Sequence, residues 1–265
     1  MRVFLSAAIF MVWTLLQGQA SPPVLGKEGQ AFTDRSNIKP IALGESFTVH
    51  SGVLNEDRTV MVAVPNGYEA STNRYPVFYL VDAQWNFGLT ASAIHVLSSN
   101  GLIPPMIVVG VNTEENRERD LLPTRDEVRK IGGGADPFFK FLSEELIPLV
   151  EKHYRTNPYR VLGGTSYGGV FVMHAFITNP KLFADYLAMS PALGWDGSSM
   201  IRGTKEFLSK NPELKCASMD RTIAGEPSST RALPLASSSQ KTGEHSEVSM
   251  IVFQWSSLLR STTAR

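Results

Sequence analysis

Five residues constrain this chain more than any others. Gly164, Thr165, Ser166, Tyr167 and Gly168 spell G-x-S-x-G. Before them, residues 158–163 hold Tyr159, Val161 and Leu162, a composition suited to a strand. After them, residues 169–177 are apolar for more than two helical turns and are closed by Asn179 and Pro180. A serine on so sharp a strand-to-helix turn projects its hydroxyl away from the sheet, and flanking glycines let the backbone cross without steric conflict. The competing reading is a glycine-rich structural turn that happens to hold a serine.

The segments around this turn alternate between strand and helix patterns. Residues 46–54 and 58–64 alternate apolar and polar side chains as strands do, with Asn55 to Asp57 as the turn between them. Residues 75–81 and 104–111 are unbroken apolar runs, the signature of strands buried on both faces of a parallel sheet. A helix is expected from the Asp82–Phe87 stretch through about Ser99. A second is expected from Asp136, which reads as its cap with Pro137 at the first position, and its apolar face runs through Phe141, Leu146 and Val150. Gly132, Gly133 and Gly134 are not a phosphate loop, since no Gly-Lys-Ser/Thr follows. The reading is a single α/β domain over residues 21–265: a mostly parallel central sheet with helices on both faces. Ligands then bind beyond the strand C-termini, where Asp82, Ser166 and Ser190 fall.

A serine hydroxyl is a weak nucleophile until a base takes its proton. Of five histidines, His50 and His95 precede the serine within a strand and a helix, His153 ends a helix, and His174 lies on the helix leaving the turn. Only His245 lies downstream in a loop, which makes it the candidate base. Chain order in α/β-hydrolases is serine, acid, histidine. Glu226, after a weak strand at residues 221–224, is the best-placed acid, with Asp220 and Asp196 as alternatives. The oxyanion hole needs two backbone N–H groups aimed at the developing charge. Tyr167 supplies one on this reading, and Ala83 or Gln84 the other.

Charge and targeting narrow the function. Lys+Arg and Asp+Glu are balanced at 25 each, so no basic field exists to hold nucleic acid. The single cysteine, Cys216, has no internal disulfide partner. Met1 and Arg2 precede a nearly wholly apolar stretch to Leu16, and Gly18, Gln19 and Ala20 end it in the manner of a cleaved signal peptide. The apolar run is shorter than the ~20 residues of a spanning helix. Residues 1–20 are therefore read as a signal peptide. The mature chain is expected to be secreted or periplasmic, without a stable membrane anchor.

Residues 75–82, 107–111, 119–124, 145–148, 164–169 and 190–191, in that order, resemble the Putative esterase family, which includes esterase D and the ferric-enterobactin esterase-like hydrolases. The resemblance implies an α/β-hydrolase fold, a Ser-Asp/Glu-His triad with Ser166 as nucleophile, a small-molecule ester substrate and no cofactor or metal. The C-terminal pattern of that family is similar to residues 223–226 and 245–248. Two departures stand out. Asp82 is followed by Ala83 where the family has glycine, and the stretch between Glu226 and His245 is short and polar. Residues 228–243 are expected to be irregular, the C-terminal strand to be shortened or missing, and residues 248–259 to form a final helix. The main reading is an exported serine ester hydrolase. A non-catalytic binding relative and an acyltransferase on the same scaffold are the alternatives.

Overall fold

The structure is a computed structural model that describes residues 41–220 and 249–254. The expected signal peptide, the expected domain start at residue 21, the stretch 221–248 and the residues after Gln254 lie outside the described residues.

In chain order the strands are β1 (Glu45–Ser51), β2 (Glu56–Ala63), β3 (Tyr75–Val81), β4 (Ile107–Val111), β5 (Arg125–Asp126), β6 (Ile131–Gly132), β7 (Thr156–Thr165), β8 (Asp185–Met189), β9 (Lys215–Asp220) and β10 (Ser249–Gln254). The helices are α1 (Ala83–Ser99), α2 (Arg117–Leu121), α3 (Ala135–Phe141), α4 (Ile147–His153), α5 (Tyr167–Thr178) and α6 (Ser199–Lys210). A π-helical stretch, Leu142–Leu146, joins α3 to α4.

Among the described residues, eight strands form one sheet in the order β1-β2-β4-β3-β7-β8-β10-β9. β1 and β2 pair antiparallel, β2 pairs antiparallel with β4, and every later pairing in the sheet is parallel. β5 and β6 form a separate small hairpin.

All seven residues of β3 and all five of β4 are buried, because helices cover both faces. One core layer packs Tyr79, Val81, Ile107 and Leu162 against Phe138, Phe141, Leu146 and Phe171, which belong to the α3–α5 side. The opposite layer packs Phe78, Leu80, Val108 and Val161 against Ala83, Phe87, Ala91 and Ile94 of α1. The alternation of β3 side chains between the two layers is the period-2 geometry of a strand.

The loop that carries α2 is braced by charge. Arg58, 4% exposed, bonds both Glu56 and the fully buried Asp120, and Arg119 bonds the same two carboxylates. The Arg119 guanidinium holds the Glu56 carboxyl below the usual carboxylate range, aided by Arg58. Burial pushes the Asp120 carboxyl up, against the pull of the two arginines.

Three expectations change, and a fourth lies outside the described residues. The terminal strand is present, because Ser249–Gln254 form β10 rather than part of a helix over residues 248–259. It is inserted between β8 and β9, where both of its edges are paired. A short apolar run such as Met250 to Phe253 does not distinguish helix from strand by periodicity, and the neighbouring strands decide. The strand expected at residues 221–224 is preceded by one at Lys215–Asp220, and residues 221–224 themselves lie outside the described residues. Asp136 does not cap α3, whose N-cap position is Gly134. The Asp136 carboxylate instead meets His174 at 2.8 Å. The first hairpin turn is also shifted, since β2 already begins at Glu56.

Candidate active site

Ser166 stands between the end of β7 and the start of α5 with φ 59° and ψ −116°, in the left-handed half of backbone space that residues other than glycine avoid. Three backbone hydrogen bonds hold it there. Its N–H donates to the Met189 carbonyl at 3.1 Å, and its carbonyl accepts from Val170 and Ala192, each at 3.1 Å. The side chain is half-buried, so solvent reaches it.

The turn is this sharp because two glycines permit close approach. A Cβ on Gly164 would lie 2.5 Å from the Gly168 carbonyl oxygen and 2.8 Å from Val81 Cγ2. A Cβ on Gly168 would lie 3.1 Å from Val81 Cγ2 and 3.4 Å from Asp82 Oδ2. The end of β3 and the serine turn are thus in direct contact.

That contact brings two helix N-termini to one place. α5 begins at Tyr167 and α1 at Ala83, and the first N–H groups of a helix have no carbonyl one turn earlier to bind. Both helices also carry the positive end of their dipole there. Tyr167, Ala83 and Gln84 therefore lie at the same edge of the sheet as Ser166. Gln84 turns its carboxamide oxygen onto the Thr113 N–H at 3.1 Å, and its buried Nε2 has no partner among the described residues.

Asp82, 1% exposed, precedes α1 in the left-handed conformation at φ 59°. Its carboxylate accepts the Thr113 hydroxyl at 2.6 Å and three bonds from Arg117. The Arg117 guanidinium lies over the Tyr167 ring at 4.8 Å and the Trp85 ring at 5.3 Å. Trp195 meets Tyr167 edge-on at 6.0 Å and donates its indole N–H to Thr124 Oγ1 at 3.0 Å. This wall of Trp85, Arg117, Tyr167 and Trp195 escaped the sequence reading, because its members come from four separate segments. The one available signal was the charged run beginning at Arg117, which lies just after a buried strand.

The histidines divide as follows. His50 pairs with Asp57 at 2.8 Å, His95 is exposed on α1, His153 ends α4, and His174 is held by Asp136. His174 lies eight residues beyond Ser166 along α5, a rise of about 12 Å. His245 and Glu226 lie outside the described residues. Of the alternative acids, Asp196 lies in the exposed segment after β8, and Asp220 ends β9 level with Gln254 of β10. The register puts Thr165, Met189 and Phe253 in one row, so the chain leaves β9 and β10 at the Ser166 edge and enters β10 at the opposite edge. Among the described residues no three His, Cys, Asp or Glu side chains are grouped to share a metal ion, and no helix is long and apolar enough to cross a membrane.

The chain is 33% identical over 177 residues to a ferri-bacillibactin esterase of Bacillus subtilis, covering 58% of this chain and 61% of that protein. It is 28% identical over 207 residues to a siderophore triacetylfusarinine C esterase of Aspergillus fumigatus, covering 71% and 68%. Among solved structures it resembles an IroE-like serine hydrolase from Shewanella oneidensis, with a TM-score of 0.62 and 32% identity over 67% of this chain and 60% of that one. The chain thus spans about three fifths of the length of the first of these relatives. The sheet order and the helices on both faces are those of the α/β-hydrolase fold. Residues 51–250 match the family described as Putative esterase, and the chain belongs to that family.

Proposed function

We propose that the protein is an exported serine hydrolase that cleaves small-molecule carboxylic esters through an acyl-enzyme on Ser166. The observation that carries this reading is the strained, half-buried Ser166, pinned by Met189, Val170 and Ala192 beside the N-termini of α1 and α5. Attack by the hydroxyl on an ester carbonyl builds negative charge on the carbonyl oxygen. The N–H of Tyr167 and that of Ala83 or Gln84 receive it. His245 takes the serine proton and returns it to the leaving alcohol, with Glu226 orienting the imidazole. Water then releases the acid by the reverse sequence.

The names of the relatives point to the substrate class. Both curated relatives described above are siderophore esterases, so the substrates assigned here are the ester bonds of siderophores. The export signal and the secreted or periplasmic location belong to the same reading.

The test is to treat the purified full chain with a fluorophosphonate and identify the modified peptide. Attachment at Ser166, together with hydrolysis of p-nitrophenyl acetate and of a ferric trilactone siderophore, is the expected result. An unlabelled protein with no turnover of either ester would overturn the reading.

A further inference from the structure

Among the described residues, β1 is the outer strand of the sheet on one side, paired with β2 alone. Exposed edge strands are normally blunted by a proline, a lysine, a bulge or a covering element. β1, with the sequence ESFTVHS, has neither proline nor lysine, and its register with β2 runs unbroken from Glu45 to Ser51. Every second residue of such a strand turns its N–H and C=O outward.

Beside this edge lies an apolar groove of about 410 Å³, lined by Phe47, Thr48 and Val49 of β1 and by Leu149, Val150, His153 and Tyr154 at the end of α4. Phe47 and Val49 are the β1 side chains that pack toward the α3–α5 core layer, while Ser46, Thr48 and His50 face solvent. The end of α4 thus lies beside β1 on this face.

The two residues just ahead of β1, Leu43 and Gly44, turn to the other side. A Cβ on Gly44 would lie 2.3 Å from the Val62 carbonyl oxygen, so the chain enters β1 by crossing close over β2. Leu43 Cδ2 reaches within 3.5 Å of the Cβ position of Gly88 on α1, which covers the opposite face.

From this we infer that the β1 edge is a self-association surface, taken by β1 of a second copy of this chain in antiparallel register about Thr48. That register is self-complementary. Thr48 meets Thr48 of the second copy on the two-fold axis, and Phe47 meets Val49 of the second copy over the groove. Ser46 faces His50 of the second copy, and Glu45 faces Ser51 of the second copy, so no like charges oppose. Such an isologous contact closes as a C2 dimer. A seven-residue strand is about 24 Å long. Pairing it and filling both grooves buries on the order of 1,000 Å², the small and reversible end of specific interfaces.

Sedimentation velocity of the full chain from about 1 to 100 µM tests this. The wild-type protein is expected to pass from monomer to dimer over that range. Thr48→Lys and Thr48→Glu each place like charges together on the axis and raise the dissociation constant at least tenfold, with circular dichroism unchanged. An equimolar mixture of the two variants restores the dimer, now as a heterodimer. A wild-type chain that stays monomeric at the highest concentration, whether its edge is bare or covered by its own lead-in, overturns the inference. So does a dimer indifferent to both substitutions.

Discussion

The Arg117 guanidinium clasps the Asp82 carboxylate with Nε at 2.9–3.0 Å and Nη2 at 2.8 Å, while its flat face lies against Tyr167. One side chain thus ties together the residue preceding α1 and the residue following Ser166. Arg117→Ala leaves a buried carboxylate with, among the described residues, only the Thr113 hydroxyl and is expected to cost about 3 kcal/mol in urea unfolding. Ester turnover should fall further than stability explains, because the N-termini of α1 and α5 lose their common tie. Equal stability and turnover in the variant would show that the clasp is dispensable.

Ser166→Ala is expected to abolish both ester hydrolysis and fluorophosphonate labelling while the circular dichroism and melting curve stay as in the wild type. Wild-type turnover in that variant removes the nucleophile assignment.

His245→Ala is expected to lower kcat by several orders of magnitude, and Glu226→Gln by less. The β10 register sharpens this experiment. The chain enters β10 at the edge opposite Ser166, and four extended residues reach at most about 14 Å. His245 therefore serves as base only where the chain ahead of Ser249 turns back along the sheet. A loss seen with His174→Ala instead, at normal stability, moves the base to α5. An effect confined to Asp220 or Asp196 moves the acid.

The rate should rise with pH through an apparent pKa near ~6.5, because only neutral imidazole accepts the serine proton. A profile flat from about pH 5 to 8, with chemistry rate-limiting, argues against a histidine base.

The charge brace gives a prediction with a definite sign. The Glu56 carboxyl is held below its ordinary value by Arg119 and Arg58, so its stabilising contribution is present above the unfolded pKa and is lost as pH falls through the lower folded value. The stability gap between wild type and Glu56→Gln should therefore be largest near neutrality and shrink below about pH 4. Asp120→Ala, which leaves the buried Arg58 with Glu56 as its remaining carboxylate, is expected to cost about 3 kcal/mol. Asp57→Ala on the exposed His50 pair should stay within about 1 kcal/mol. Urea titrations at several pH values measure all three.

The sequence alone determined the parts of this protein whose structure follows from neighbouring residues. The G-x-S-x-G turn is legible because glycines and a serine between a strand pattern and a helix pattern leave few alternatives. β3 and β4 are legible because burial on both faces demands a continuous apolar run, and their helices follow from apolar spacing. The resemblance that leads to the family rests on these same segments. Only the tertiary structure decided what depends on distant partners. β10 is a strand because β8 and β9 pair with its two edges, and no pattern within Ser249–Gln254 states that. Asp136 looks like a helix cap until His174, 38 residues later, takes its carboxylate. The Asp82, Thr113 and Arg117 cluster spans 31 to 35 residues of separation. Periodicity encodes which face of a segment is apolar. It does not encode which charged group on another segment will satisfy a buried carboxylate, and that is settled only when the sheet brings the two together.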